Sequence, residues 1–312
     1  MSKAPPPGVT TLDELETFLT TTRAYELLRH PPPEKFTAHT LQETHRHIFQ
    51  DFKSYHMDNP VPGEFREPIQ STQGDWQKNR KLYSSPDSGS FVCYSPMRAD
   101  DLASIDKVLE NAQPERLSKL SPKEFAKEIS AVYAHLDYVH PFEEGNSRTL
   151  RTFTRQLARA SGYDLDWDRL SRTDQNRDRL FIARDRAVGE IAVGRIQNEA
   201  NEIRVVSDMI RFENNPSLVE LVTAITRPSR AAVFEHVPGQ EAIKAYPELA
   251  PAYAALRAVE AKAEVDGLTK AQRDEVVSKA RGYLVQQLDR GDVPSVDIRE
   301  EKHRQPDNDL SR

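Results

Sequence analysis

The sequence predicts an all-α protein that carries one small β-hairpin. Helix-start and helix-stop signals recur along the 312 residues, and apolar side chains stand at helical spacing between them. A β-type run is found in the segment Phe91-Val92-Cys93-Tyr94, which is flanked by Gly89 and Pro96. Hydrophobic residues make up 37% of the chain, which is sufficient for a buried core.

The N-terminal third of the chain is expected to contain three helices and the hairpin. A helix is predicted over 11–29, because acidic residues come early, apolar residues follow at helical spacing and an arginine comes late. Pro31 ends this helix. A second helix is predicted at 40–54, with Thr37 or Thr40 near its start. Residues 66–98 are interpreted as an extended, hairpin-like segment, and helices resume at 99–112.

A strong helix-start signal lies at Ser121-Pro-Lys-Glu124. Ser121 can cap the helix, Pro122 suits its first position, and Glu124 can complete a capping box. Apolar residues then follow at steps of three and four, which predicts a buried stripe that ends directly before His140. This stripe consists of Phe125, Ile129, Val132, Leu136 and Val139.

Two breaks in the pattern, near 214–216 and at 227–240, suggest a separate C-terminal part. Residues 245–290 are expected to form a helical hairpin, in which Gly267 stops one helix and Thr269 caps the next. We therefore predict a disordered tail at 1–10, a main domain at 11–212, a C-terminal helical extension of unassigned role at 213–295, and a disordered tail at 296–312.

Composition excludes several functional classes. No apolar run reaches the roughly 18 residues of a membrane helix, and the N-terminus lacks the apolar stretch of a signal peptide. A single cysteine, Cys93, excludes an intramolecular disulfide and a CxxC site. The net charge of −6 disfavours a broad nucleic-acid-binding face. We expect a protein of the cytoplasm, or one that is delivered into another cell.

The segment 140–151 is the part of the sequence most suited to chemistry. His140 ends one helix because Pro141 forces the chain out of it, and Glu144-Gly145-Asn146 form a tight turn before a new helix starts at about Ser147. A turn of successive backbone N–H groups at a helix N-terminus binds anions.

The new helix is expected to have an arginine face and a core face. Arg148, Arg151 and Arg155 share one side, and Leu150, Phe153 and Leu157 lie on the opposite side. The planar fork of arginine donates two hydrogen bonds to a phosphate at once. Glu144 would be repelled by that phosphate unless a divalent cation such as Mg²⁺ bridged them. His140 would then act as a base for attack by a hydroxyl on a nucleotide phosphate.

This segment resembles the signature of the Fic (filamentation induced by cAMP) family, His-Pro-Phe-x-Asp/Glu-Gly-Asn-Gly-Arg-x-x-Arg. The resemblance covers about 40–200: Leu41 to Arg66 resembles a helix that ends in a Gly-Glu-Phe-Arg turn, and Phe91 to Pro96 stands where the family has a β-hairpin flap. The resemblance implies a Fic-type helical bundle with this flap, so that 11–212 would be a Fic-type catalytic domain followed by the C-terminal helical extension. The matching signature residues are His140, Pro141, Phe142, Glu144, Gly145, Asn146, Arg148 and Arg151; Ser147 departs from the signature.

The resemblance implies a protein adenylyltransferase, which transfers AMP from ATP with Mg²⁺ to a Ser, Thr or Tyr hydroxyl of a target protein. His140 would be the general base and Glu144 the Mg²⁺ ligand. The nucleotide phosphates would be held by Gly145, Asn146, Ser147, Arg148 and Arg151. The flap strand Phe91, Val92, Cys93 and Tyr94 would align the target by edge pairing, although simple packing explains Phe91 and Tyr94 equally well.

Two further functions stay open at this point. One is transfer of another group, such as phosphate, UMP or phosphocholine, and the other is a catalytically weak Fic-like binding scaffold. Many Fic proteins carry an inhibitory helix of the form Ser/Thr-x-x-x-Glu-Gly/Asn, whose Glu pairs with the arginine that corresponds to Arg151. A search of the sequence finds no such pattern. Two alternatives follow from this absence. Either the chain is a toxin that a separate antitoxin-like inhibitor protein restrains, or its activity is under no such restraint.

Ser147 permits two interpretations. In the first, the position needs a positive φ or a side-chain-free approach to phosphate, which serine does not provide. In the second, Ser147 begins the helix with ordinary dihedrals, and its hydroxyl caps an amide or donates to a phosphate oxygen. We favour the second, because serine is among the better residues at a helix start. It predicts an active transferase with altered nucleotide handling.

Overall fold

The predicted helical fold with a small β-hairpin is confirmed in a computed structural model, which describes residues 6–57, 60–69, 75–290 and 292–293. Residues 296–312 and part of the predicted tail at 1–10 lie outside these ranges. The helices of the first part are α1 (Leu12–Arg29), α2 (Ala38–Phe49), α3 (Ala99–Glu110), α4 (Pro114–Leu117), α5 (Pro122–Val139), α6 (Asn146–Ala160), α7 (Asp174–Ala192), α8 (Glu199–Arg211) and α9 (Leu218–Ile225). The later helices are α10 (Arg230–His236), α11 (Gly239–Ala245), α12 (Ala250–Val265) and α13 (Lys270–Asp289).

The strands form two antiparallel pairs within the described residues. Strands β1 (Trp76–Lys81) and β2 (Gly89–Tyr94) form the predicted hairpin, in which Trp76 faces Tyr94 and Lys81 faces Gly89. Strands β3 (Tyr163–Leu165) and β4 (Thr226–Pro228) form a second pair that sequence patterning missed. Three residues are too few to show a period of two, and the partner strand lies far along the chain.

Two helix starts show the predicted local capping signals. Ser121 and Glu124 form a reciprocal capping box at the start of α5, with Pro122 in its first turn. Thr37 caps α2 by accepting a hydrogen bond from the N–H of Thr40. The predicted helix over 40–54 is shorter: α2 ends at Phe49, and a single 3-10 turn follows at Phe52–Tyr55.

Helix α5 lies in the main hydrophobic core and carries the predicted buried stripe from Phe125 to Val139. The core face of α6 is also confirmed, since Leu150, Phe153 and Leu157 are fully buried. These two helices carry the residues on either side of the 140–145 loop. The core therefore fixes both ends of the segment that the sequence analysis singled out.

The described chain divides into two compact units: the first runs to Val233 and also includes Asp289 and Arg290, and the second comprises Phe234–Leu288 and residues 292–293. The first unit extends past the predicted boundary at 212 because Leu218, Val222 and Ile225 of α9 belong to the main core. In the second unit, α12 and α13 form the two predicted helices around Gly267, and the Tyr253 hydroxyl donates to the carbonyl of Val237 at 3.1 Å. The functional roles assigned to the two parts stay predictions.

Within the described ranges, no helix is both long enough and apolar enough to cross a membrane.

Candidate active site

One cavity brings together the predicted catalytic and phosphate-binding residues. Its volume is about 620 Å³, which lies within the range of small-molecule sites. The other walls come from α1, from Lys78 and Arg80 of β1, and from α7. The predicted residues that line it are His140, Glu144, Gly145, Asn146, Ser147, Arg148 and Arg151.

The cavity begins where α5 ends at His140, which adopts a left-handed conformation with φ of 48°. Such a conformation costs a non-glycine residue about 1–2 kcal/mol, so neighbouring contacts must hold it. Arg66 supplies them: its Nε donates to the carbonyl of His140 at 2.7 Å, and its Nη2 donates to that of Val139 at 3.1 Å. This guanidinium satisfies carbonyls that the helix end leaves without partners. Arg66 is the last residue of the Gly-Glu-Phe-Arg turn.

His45 of α2 holds the far side of the loop. Its Nδ1 accepts a hydrogen bond from the N–H of Gly63 at 2.9 Å, so its Nε2 carries the proton and donates to the carbonyl of Glu144 at 3.2 Å. The ring stacks on Phe142 with 3.9 Å between centroids. Burial lowers the pKa of His45 to about 4, so the ring is neutral at pH 7. Sequence reasoning assigned no role to His45, because its partners are distant in sequence.

Gly145 and Asn146 close the turn at the start of α6. Gly145 has a φ of 80°, and a Cβ there would lie 2.2 Å from the ring of Phe49, so glycine is required both by conformation and by space. The Asn146 side chain accepts from the N–H of Phe142 at 3.0 Å and donates to its carbonyl at 2.6 Å. In this structure the amide of Asn146 therefore fixes the loop, and its predicted phosphate contact stays a prediction.

The imidazole of His140 is enclosed on all but its cavity side. Tyr94 stacks on it with 3.8 Å between ring centroids, and Nδ1 is buried 3.7 Å from Oδ1 of Asp137. Because Nδ1 faces inward, the ring edge that carries Nε2 faces the cavity. Burial lowers the pKa of His140, and Asp137 opposes that shift. A histidine whose pKa is lowered is neutral at pH 7 and able to accept a proton at Nε2.

Positive charge dominates the cavity wall. Arg151 differs from the other arginines there, because no carboxylate of the described residues forms an ion pair with it and its hydrogen bond runs from Nε to the carbonyl of Ser147 at 3.2 Å. Burial lowers the pKa of this guanidinium. Arg151 is half-buried and lines the cavity without a carboxylate partner among the described residues, so an anionic ligand there would pair favourably with it. The basic residues that line the cavity are Lys78, Arg80, Arg148, Arg151, Arg155, Arg177 and Arg184.

Helix α1 contributes a carboxylate that the sequence analysis missed. Glu16 lines the cavity and forms an ion pair with Arg148, one of the signature arginines. It escaped the search for an inhibitory pattern because Leu12 precedes it by four residues and Thr17 follows it. Glu16 thus forms an ion pair with Arg148, which is one of the two arginines that the sequence analysis assigned to the phosphates.

Ser147 adopts the second of its two predicted conformations. It lies in the first turn of α6 and is not among the described residues with a positive φ. Its hydroxyl has a role that was not foreseen, since its Oγ accepts a hydrogen bond from Nη1 of Arg184 at 3.0 Å. Arg184 itself lies on α7 and forms a bidentate ion pair with Asp137.

The predicted metal ligand Glu144 is exposed at the cavity. Among the residues that the structure describes, no three His, Cys, Asp or Glu side chains come together as a metal site. A lone carboxylate fits a Mg²⁺ ion that takes its remaining ligands from water and substrate phosphates.

The predicted docking strand does not have the placement that edge pairing requires. Phe91, Val92, Cys93 and Tyr94 are all buried in β2, and none of them lines the cavity. On the edge of β2 that faces away from β1, the N–H of Phe91 donates to Asp208 of α8 at 2.6 Å. Val92 and Tyr94 pack in the main core, so packing explains this strand.

Strand β1 is the open edge of the hairpin instead. It pairs with β2 on one side, and no described strand pairs with its other side. Its residues are mostly exposed, while Lys78 and Arg80 line the cavity. Period-two patterning did not identify this strand, because its sequence, WQKNRK, is almost entirely polar.

Comparison with known proteins assigns residues 35–158 to the Fic/DOC family, which confirms the predicted resemblance. The chain is 29% identical over 167 residues to the protein adenylyltransferase VbhT of Bartonella schoenbuchensis, covering 53% of this chain and 30% of that protein. It is 28% identical over 165 residues to the probable protein adenylyltransferase y4lH of Sinorhizobium fredii, covering 53% of this chain and 72% of that protein. The match thus spans less than a third of VbhT.

Solved structures of Fic domains also match. The N-terminal Fic domain of a cell filamentation protein from Bartonella quintana, a VirB-translocated effector solved with bound ADP, aligns with a TM-score of 0.46. The sequences are 20% identical in that alignment, which covers 74% of this chain and 94% of the solved one.

We predict that His45 makes folding stability depend on pH. Its pKa falls from 6.5 to about 4 on folding. Between pH 6.5 and pH 4, His45 is therefore protonated in the unfolded chain but neutral in the folded chain. Stability from this residue is therefore present above pH 6.5 and lost towards pH 4, by about 3 kcal/mol. Urea unfolding at pH 7 and pH 4 should show a smaller difference for His45→Gln than for wild type. The exposed control His39→Gln should keep the wild-type difference, and an equal difference in all three proteins would contradict the assignment.

We also predict that Glu16 weakens binding of a nucleoside triphosphate. Glu16→Gln removes a negative charge from the cavity and frees Arg148 from its ion pair. Titration calorimetry with ATP and Mg²⁺ should show about three- to tenfold tighter binding, which corresponds to roughly 0.7–1.4 kcal/mol. Asp13→Asn removes the same charge from the first turn of α1. Equal affinities for the two variants would show that Glu16 has no special effect.

Proposed function

From the premise that residues 35–158 form a Fic/DOC family domain, we propose that this chain is a protein adenylyltransferase. It transfers AMP from ATP to a Ser, Thr or Tyr hydroxyl of a target protein. The curated relatives carry this activity in their names, and the cavity has the groups that the reaction requires.

The observation that carries the proposal is Arg151. This half-buried guanidinium faces a cavity beside the first turn of α6 and has no carboxylate partner among the described residues. A polyphosphate satisfies both features at once, because its oxygens accept from the arginine and from the backbone amides at the helix start. Arg148 would join it once released from Glu16. We assign Gly145, Asn146, Ser147, Arg148 and Arg151 to the phosphates.

In the proposed step, the target hydroxyl gives its proton to Nε2 of His140 while its oxygen attacks the α-phosphorus of ATP. An O–P bond forms to the target, and the bond between the α-phosphorus and its bridging oxygen breaks. Pyrophosphate leaves with that electron pair, so the products are the AMP-bearing target, pyrophosphate and protonated His140. The lowered pKa of His140 supports the role of base, since the neutral ring is present at pH 7.

A Mg²⁺ ion is the cofactor that we propose for this site, with Glu144 as its protein ligand. When bound, it would offset charge on the phosphates. The exposed position of Glu144 at the cavity supports this assignment, because the carboxylate can accept a metal that arrives with its nucleotide. The arginines and the helix start then bind and orient the triphosphate.

We further propose that the target docks on β1 and not on β2. The open edge of β1 offers backbone groups to an extended segment, as in β-augmentation, and Lys78 and Arg80 of the same strand reach the cavity. A hydroxyl on the paired segment would then lie near His140.

Three further proposals rest on the sequence alone: restraint by an antitoxin-like inhibitor protein, action as a toxin, and delivery into another cell. The Glu16–Arg148 ion pair supports a restraint built into the chain itself.

Labelled ATP tests the proposed reaction. Transfer of label from the α-position, but not from the γ-position, is expected on proteins of a lysate or on the enzyme itself. Label from the γ-position would indicate phosphate transfer, and absence of both would favour a binding scaffold. His140→Ala should lower the labelling rate by about 10²–10⁴-fold while ATP affinity stays within a few-fold.

The matched control is His39→Ala, which removes an exposed histidine on α2 far from the loop in sequence. It should label at the wild-type rate. Wild-type labelling by His140→Ala would remove His140 from the mechanism and leave the rest of the proposal without its base.

A further inference from the structure

We propose that Asp137 is a positioning residue that orients His140 through its Nδ1, and that Arg184 holds Asp137 in place for this task. The inference rests on the proposed function, because it assigns His140 the role of base. It adds a carboxylate partner that lies outside the 140–151 signature, and a cation from a helix beyond the matched range 35–158.

The geometry begins with a buried ion pair. Nε of Arg184 donates to Oδ2 of Asp137 at 3.0 Å and Nη2 donates to Oδ1 at 2.9 Å, and each side chain is about 1% exposed. Asp137 lies on α5 one turn before His140, and its Oδ1 is 3.7 Å from Nδ1 of that histidine. The carboxylate is therefore fixed by Arg184 and directed at the inner nitrogen of the base.

Within the described residues, Nδ1 of His140 has no other partner. It is buried and makes no hydrogen bond, and the gap of 3.7 Å is longer than a hydrogen bond. A small rotation of the ring would let Nδ1–H donate to Asp137. In that tautomer Nε2 has a free lone pair on the cavity side, which is the form that a base needs. After Nε2 accepts the proton, the carboxylate also stabilises the imidazolium.

The other charged and titratable groups around the ring either lower the pKa of His140 or leave it unchanged. Arg184 on α7 and Arg66 in the 60–69 segment both lower the pKa of His140, and burial lowers it most. Tyr94 stacks on the ring, and burial raises the pKa of its own hydroxyl, so it stays uncharged. Asp137 is the carboxylate that raises the pKa of His140, and its own pKa is held low by Arg184 against the effect of burial.

Ser147 extends the arrangement to the anion-binding turn. The third donor of Arg184, Nη1, reaches Oγ of Ser147 at 3.0 Å. A glycine at this position, as in the family signature, has no oxygen to accept that bond. The serine of this chain therefore ties Asp137 and Arg184 to the start of α6, so the base and the phosphate-binding turn share one set of contacts.

Long-range ¹H–¹⁵N NMR of the nine histidines tests the inference without any activity measurement. His140 is assigned by the loss of its signals in His140→Ala. In wild type we expect the Nδ1–H tautomer, and in Asp137→Asn a mixed or Nε2–H tautomer with a lower pKa. The pKa falls because the carboxylate that favours the imidazolium is gone. An unchanged tautomer and pKa in a folded Asp137→Asn would overturn the inference.

Two further variants control for an unpaired buried charge and for the general effect of removing a buried carboxylate. Asp137→Asn leaves Arg184 buried without its partner, so the double variant Asp137→Asn/Arg184→Gln removes both charges and should show the same tautomer change. Asp178→Asn is the matched control, because Asp178 is a buried carboxylate on α7 that binds the N–H groups of Tyr83 and Ser84 at 2.7 and 2.8 Å. It should leave the tautomer and pKa of His140 unchanged.

Kinetics provide a second readout. Asp137→Asn should lower the AMP-transfer rate about tenfold to a hundredfold at saturating ATP, leave the KM for ATP within about twofold, and move the acidic limb of the pH profile to lower pH. A wild-type rate and profile would count against the inference alone. If wild type transferred no AMP, the proposed function would fail, whereas the NMR titration would still decide how Asp137 acts on His140.

Discussion

The buried ion pair between Asp137 and Arg184 is the interaction on which the rest of the site depends. It joins α5 to α7 and, through Ser147, to the first turn of α6. Removing one partner of such a pair leaves an uncompensated buried charge, at a cost of about 3–5 kcal/mol. The pair therefore fixes how three helices meet around the cavity. His140 lies at this junction, so its position follows from the packing of the core.

The loop between α5 and α6 makes the cavity possible and has no regular secondary structure of its own. Its backbone groups are paired by side chains from outside the two helices, with Arg66 at the carbonyl of His140 and His45 at that of Glu144. Asn146 closes it from within by binding both polar groups of Phe142. Each of these side chains satisfies backbone groups that would otherwise be buried without partners. The loop conformation is thus held by side-chain hydrogen bonds from within the fold.

Charge in the cavity is arranged in two layers. The inner cations Arg80 and Arg184 are matched by carboxylates of the fold, Asp185 and Asp137, and so contribute little net attraction. Arg151, facing the cavity, has no carboxylate partner among the described residues, while Arg148 has one only through the ion pair with Glu16 of α1. The cavity cations therefore differ in how they are paired: Arg80 and Arg184 have their carboxylates within the fold, whereas the partner of Arg148 comes from a helix outside the matched range 35–158.

The sequence by itself determined the helices, the signature and the two faces of α6, because capping, periodicity and motif spacing are local properties. Only the tertiary structure decided which residues support the site. His45 and Glu16 reach it from α2 and α1, and β1 replaces β2 as the open edge of the hairpin. Contacts between residues that are far apart in sequence leave no periodic signal. They arise from the packing of the core, which alone brings Arg184 to Ser147 and Asp137.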